Sequence, residues 1–167
     1  MKLSFFGAAH AVTGSCHCLE VNGRKILIDG GLQQGRDEVS NAEFPFAAGS
    51  VDYVLVTHAH IDHSGLLPLL TKNGFRGRIY ATEETTNLCS IMLKDCAHIQ
   101  EQEAEWKNRK AMRSGAEMVE PDYTVEDAEK VMQQFVPCPY ETWQNLFDGP
   151  TGKIEMRFTD VGHLLGS

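Results

Sequence analysis

Thr57-His58-Ala59-His60-Ile61-Asp62-His63 is the stretch on which the reading of this chain turns. It completes Val51-Asp52-Tyr53-Val54-Leu55-Val56-Thr57, a β-branched apolar run that reads as a buried strand. Where a strand continues, residues two apart share a face, so His58 and His60 can be aimed at one metal ion. Asp62 and His63 follow where the chain turns into a helix, and can be aimed at a neighbouring ion. Imidazole nitrogen with carboxylate oxygen suits zinc, although manganese or iron would accept the same donors. The plainer alternative is a polar turn that happens to hold three histidines. Four potential ligands within six residues, at the end of an apolar strand, favour metal.

Upstream, Asp29 has the same placement, at the end of Arg24-Lys25-Ile26-Leu27-Ile28 and before Gly30-Gly31. An aspartate there can serve the site or simply accept backbone hydrogen bonds in the turn. Downstream, His163 follows a run from Lys153 to Thr159 that alternates like a strand. A catalytic zinc commonly has three protein ligands and a water, so His163 would complete the set begun by His58 and His60. Asp62 and His63 give a second ion only two protein ligands, which leaves that site incomplete.

The rest of the chain alternates strand and helix. Lys2 to Ala8 and Cys16 to Val21 read as strands, and Asn22-Gly23 as a two-residue hairpin turn. A helical Leu66 to Thr71 is followed by a strand from Phe75 to Thr82. From about Glu83 to Met112 the pattern is helical, with Leu88, Ile91, Met92, Cys96, Ile99 and Trp106 on one side. Thr124 with Asp127 resembles a helix-capping pair, and Val125, Ala128, Val131, Met132 and Phe135 follow at helical spacing until Pro137 and Pro139. This order of elements predicts an α/β protein.

Composition bounds the function. The 167 residues are 42% apolar and 23% charged, with 15 basic against 23 acidic side chains and a net charge of −8. Such a chain is ordinary globular sequence, neither disordered nor collagen-like, and a domain of this size buries roughly 70% of its unfolded surface. No apolar stretch approaches the ~20 residues of a membrane span, and the N-terminus enters a strand rather than a signal peptide, so a cytoplasmic protein with no membrane partner is expected. Five cysteines in no framework spacing read as reduced thiols. Cys16-His17-Cys18 invites a zinc reading, but two buried cysteines facing the same way in a strand account for it better. The acidic balance argues against a generic basic surface for nucleic acid, without excluding a polyanion held by metal ions.

His58-Ala59-His60-Ile61-Asp62-His63, with Asp29 upstream and Gly162-His163-Leu164-Leu165-Gly166-Ser167 downstream, resembles the metallo-β-lactamase fold superfamily. Phe6-Gly7-Ala8-Ala9-His10-Ala11-Val12-Thr13-Gly14-Ser15, Ile28-Asp29-Gly30-Gly31-Leu32-Gln33-Gln34-Gly35 and the Gly-His-Leu-Leu-Gly-Ser ending are similar to its β-CASP branch, which processes RNA or DNA. The resemblance implies a four-layer αββα sandwich of which residues 1–167 form the N-terminal portion only, with a mainly helical insertion at about 83–147. The β-CASP cap domain and the C-terminal part are not matched. It implies two zinc ions, the first on His58, His60 and His163, the second on Asp62 and His63. Asp62 would hold the attacking hydroxide, and Asp29 would orient ligands.

The expected activity is zinc-dependent hydrolysis of RNA or single-stranded nucleic acid by metal-activated hydroxide. A small-molecule hydrolase acting on a thioester, lactone or β-lactam would share the histidine run, and a non-catalytic scaffold is a third reading. Self-association into a homo-oligomer through an exposed sheet edge is a further expectation. Gly14 and Ser15 are candidate phosphate donors or merely a turn, and His10 lies in the same loop. Trp106 and Trp143 suit base stacking or, more commonly, packing against helices.

Overall fold

Asn22 and Gly23 both take left-handed backbone, φ 50° and 74°, the geometry of a tight turn that matches the twist of two antiparallel strands. In a computed structural model of the chain, which describes residues 1–35, 41 and 43–167, this turn joins β2 (Cys16–Val21) to β3 (Arg24–Ile28). With β1 (Lys2–Gly7) they form an antiparallel meander. The chain then crosses over to lay β4 (Tyr53–Leu55), β5 (Arg78–Thr82) and β6 (Phe135–Cys138) parallel to β3, giving a six-stranded sheet in sequence order. Asp52 pins the first crossover. It accepts from the Arg24 guanidinium at 2.7 Å and from the Lys25 backbone N–H at 2.8 Å.

Alternation assigns the two faces. Cys16, Cys18, Leu27, Val54, Ile79 and Ala81 point into a core shared with the helices. These are α1 (Ile61–Ser64), α2 (Leu67–Lys72), α3 (Glu83–Ser114) and α4 (Val125–Met132). Ile26, Tyr80 and Cys138 point the other way, against Leu146, Ile154 and Met156 of a second, two-stranded sheet, β7 (Gln144–Gly149) with β8 (Gly152–Met156). Helices, large sheet and small sheet are the α, β and β layers of the expected αββα architecture. No helix among the described residues is long and apolar enough to cross a membrane.

Three local expectations are corrected. The strand read over 51–57 pairs as a strand only at Tyr53–Leu55, because Val51 closes a 3₁₀ turn at Ala48–Ser50. Helix α3 buries Thr85, Cys89, Leu93, Ala97, Ala104 and Ala111, while Ile91, Ile99 and Trp106 of the predicted stripe are exposed. Small side chains at four- and seven-residue steps let α3 approach its neighbours closely, which a search for bulky apolar residues overlooks. Phe135 does not continue α4. The helix ends at Met132, and Phe135–Cys138 pairs with Ile79–Thr82, Pro137 being tolerated because β6 is an edge strand. The Thr124–Asp127 pair does form a reciprocal capping box. Strand β7 was not anticipated.

Candidate metal centre

Parallel strands collect functional loops at their carboxyl ends. Here β3 delivers Asp29, β4 delivers His58 to His63, and β5 leads into the buried Thr82 at the start of α3. The loops are stitched together by backbone hydrogen bonds. Ser15 N–H donates to the Asp62 carbonyl at 2.8 Å, Gly30 N–H to His63 at 2.8 Å, and Leu32 N–H to Ile61 at 2.9 Å. Gly31 passes so close to Asp62 that a Cβ there would run into the Asp62 carbonyl oxygen, which explains why glycine follows Asp29 and Gly30.

His58, His60 and His163 converge. One ring nitrogen from each lies within 4.8 Å of the others. The ring of His163 sits 4.9 Å from that of His58 and 5.2 Å from that of His60, despite a sequence separation of more than a hundred residues. His58 Nε2 and His60 Nδ1 are 3.0 Å apart, close to the ~3.3 Å between two ligands of a tetrahedral ion bound at about 2.0–2.1 Å. The donor set therefore fits a zinc-like cation. Burial, then the neighbouring His63, pushes the His58 pKa down to about 4, so its imidazole is neutral, as a ligand must be.

Beside this trio the His58 and His63 rings lie 4.0 Å apart, and His63 Nε2 is 3.7 Å from Asp62 Oδ2. The second pair of candidate ligands thus shares one space with the first trio. Asp29 stands behind them, only 2% exposed and at φ 62°. Its Oδ1 accepts from the Thr57 backbone N–H at 2.8 Å, and its Oδ2 accepts from Ser15 Oγ at 3.1 Å, Thr57 Oγ1 at 3.0 Å and His63 Nδ1 at 2.8 Å. The bond from Asp29, with the further field of Asp29 and Asp62, outweighs burial and raises the His63 pKa. A proton held on Nδ1 leaves the lone pair of His63 on Nε2, toward Asp62.

Thr57, overlooked as a functional residue in the sequence, is a hub. Its hydroxyl donates to Asp29 Oδ2 and lies 3.0 Å from His58 Nδ1, so its oxygen accepts a hydrogen bond from Nδ1–H, the tautomer that leaves the His58 Nε2 lone pair free. Its position just before the histidine run was the available signal. Ser15 is buried and its hydroxyl is spent on Asp29, so it is not a free phosphate donor. His10 lies on an exposed turn at φ 60°. Trp106 and Trp143 are exposed rather than packed between helices, each with a cation over its ring, Lys110 and Arg157.

Cys16 and Cys18 face the helical core while His17 points to the opposite face, edge-on to Phe5. These three cannot converge on one ion. Burial pushes the Cys16 and Cys89 thiols up to about 12, so neither supplies thiolate near neutral pH. Brief iodoacetamide treatment of the native protein at pH 8 is expected to leave both unmodified, while the unfolded chain is alkylated at all five cysteines. Peptide mass spectrometry checks this, and native labelling of Cys16 would contradict its placement.

Against known proteins, the profile of the metallo-beta-lactamase superfamily matches residues 11–95. Over its whole length the chain is 39% identical to ribonuclease TTHA0252 of Thermus thermophilus, covering 34% of that protein. It is 29% identical to transcription termination factor FttA of Methanocaldococcus jannaschii, again over its whole length and covering 24% of that protein. The chain thus spans about a third or less of these relatives. A solved archaeal metallo-beta-lactamase superfamily protein from Sulfolobus tokodaii aligns with 93% of this chain and 53% of its own at 18% identity and a TM-score of 0.46.

Proposed function

Because the chain belongs to the metallo-β-lactamase superfamily, in its β-CASP branch of RNA-processing nucleases, we propose that the intact protein hydrolyses phosphodiester bonds of RNA with the help of zinc. The convergence of His58, His60 and His163 on a common point, with Asp62 and His63 beside it, carries the reading. The first three would hold one zinc, and Asp62 with His63 would contribute to a second. Bound zinc supplies Lewis acidity, brings water ionisation into the neutral range and offers a clamp for phosphate oxygens.

The protein's own groups divide the remaining work. Asp62, partly exposed beside the imidazoles, takes the proton of the attacking water on a carboxylate oxygen. Asp29 is buried and already accepts four hydrogen bonds, so it holds His63 and Thr57 in place and takes no part in proton transfer. Thr57 sets the His58 tautomer. With an acidic net charge of −8, this chain does not itself attract a polyanion over its general surface, so cations held by the histidine cluster would supply the local attraction for RNA. We place this activity in the cytoplasm.

A small-molecule hydrolase on the same fold would use the same cluster, so the substrate decides. The name of the first relative, a ribonuclease, favours RNA. Incubation of the intact protein with a labelled single-stranded RNA is expected to give cleavage that a zinc chelator abolishes and added zinc restores. Chelator-insensitive cleavage would overturn the metal reading, and hydrolysis of a thioester or β-lactam with no RNA cleavage would overturn the substrate.

A further inference from the structure

We propose that Thr82 and Thr85 are positioning residues for the metal centre: their hydroxyls grip the Gly166 carbonyl and so hold the loop that carries His163 within reach of His58 and His60. The inference rests on the zinc reading of the three imidazoles.

His58 and His60 are fixed by their position between β4 and α1. His163 has no such support. It is exposed, and residues 157–167 contain no strand or helix to position it. The loop instead closes on itself and is tied to the fold by a bridge between Phe158 and Tyr140 at its start and, at its end, by the Tyr140 hydroxyl donating to the Ser167 carbonyl at 2.9 Å and by Gly166. Ser167 Oγ accepts from the His163 and Leu164 N–H groups at 3.2 and 3.0 Å and donates to the Leu164 carbonyl at 2.8 Å. The knot so formed is anchored at Gly166, whose carbonyl accepts from Thr82 Oγ1 at 2.6 Å and from Thr85 Oγ1 at 2.9 Å.

Both threonines are fully buried, 1% and 0% exposed, where an unpaired hydroxyl would be costly and a paired one is rigid. They sit on the end of β5 and the first turn of α3, and Thr82 also caps that helix by accepting from the Thr85 N–H. Gly166 is at φ 93°, and a Cβ there would lie 2.6 Å from Thr85 N and Oγ1, so the fit depends on glycine. A rigid helix start thus fixes the loop three residues from His163.

Thr85→Val keeps shape, β-branching and the backbone N–H that Thr82 caps, and removes only the donor. Zinc affinity of the intact protein, measured by competition with a chromophoric chelator, is expected to fall about 10-fold, as when a group supporting a metal ligand is lost. Thr85→Ser should restore it. The distinguishing measurement is the same substitution in a His163→Ala background, where it should cause no further loss because the residue it positions is gone. A general packing defect would lower affinity in both backgrounds. Gly166→Ala attacks the same contact from the loop side and should follow the same pattern, which keeps the test open if Thr85→Val folds poorly. Unchanged affinity in both variants, or equal losses with and without His163, overturns the clamp alone. A parent protein that binds no zinc overturns the metal reading and the clamp with it.

Discussion

Replacing Asp62 with alanine is expected to lower RNA cleavage by the intact protein about 10³-fold while leaving the fold intact. General-base groups contribute typically 10²–10⁴-fold, and a lost ligand adds to that loss. The fold should survive because the structure uses the backbone of Asp62, not its side chain. Its carbonyl takes the Ser15 N–H, whereas the carboxylate is partly exposed and, among the described residues, makes no hydrogen bond and lies 3.7 Å from His63 Nε2. The unfolding free energy of Asp62→Ala from urea titration should therefore match the parent to within about 0.5 kcal/mol. Single-turnover cleavage of a short RNA, measured beside that unfolding curve, separates the two effects. Cleavage within about 10-fold of the parent would remove Asp62 from the chemistry, and a large stability loss would mean that its carboxylate has a structural partner.

What could be read from the sequence follows the range of the interactions. The histidine run was legible because its members are neighbours on one strand end, where period-two geometry predicts their convergence. The Asn22-Gly23 turn and the Thr124–Asp127 cap were legible for the same reason, each being complete within four residues. The part played by Asp29 could not be settled locally. Its carboxylate collects donors from Ser15, Thr57 and His63, residues 14, 28 and 34 positions away. Thr57 escaped notice because a hydroxyl at a strand end has no pattern of its own; its value comes from Asp29, 28 residues away, which folding brings to it beside the neighbouring His58. The buried face of α3 was misread because burial there goes to small side chains, whose choice is dictated by the helices packed on them. Phe135 fits a helical step from Val131 as well as it fits a strand, and pairing with β5 decided.

Asp29→Asn should weaken zinc binding 10- to 100-fold, and the reason is a proton rather than a lost contact. Asparagine tolerates the left-handed backbone at φ 62° about as well as aspartate, so no new strain arises there. Its carbonyl oxygen can still accept from the Thr57 N–H, as Oδ1 does now at 2.8 Å. The amide nitrogen then occupies the place of Oδ2, facing Ser15 Oγ, Thr57 Oγ1 and His63 Nδ1. The two hydroxyls can rotate and accept. The imidazole can accept at Nδ1 only by moving its proton to Nε2, the atom that faces Asp62 and would meet the cation. The substitution thus blocks a ligand without moving it. It also removes the charge that raises the His63 pKa. A raised histidine pKa contributes stability that is present below the unfolded value of about 6.5 and lost as pH rises through the folded value. In the metal-free protein the destabilisation caused by Asp29→Asn should accordingly be larger at pH 6 than at pH 8. Urea unfolding at the two pH values, with chelator competition on the zinc-bound form, checks both halves. A penalty independent of pH would mean that Asp29 does not hold the His63 proton, and unaltered zinc affinity would mean that the tautomer of His63 does not matter to the site.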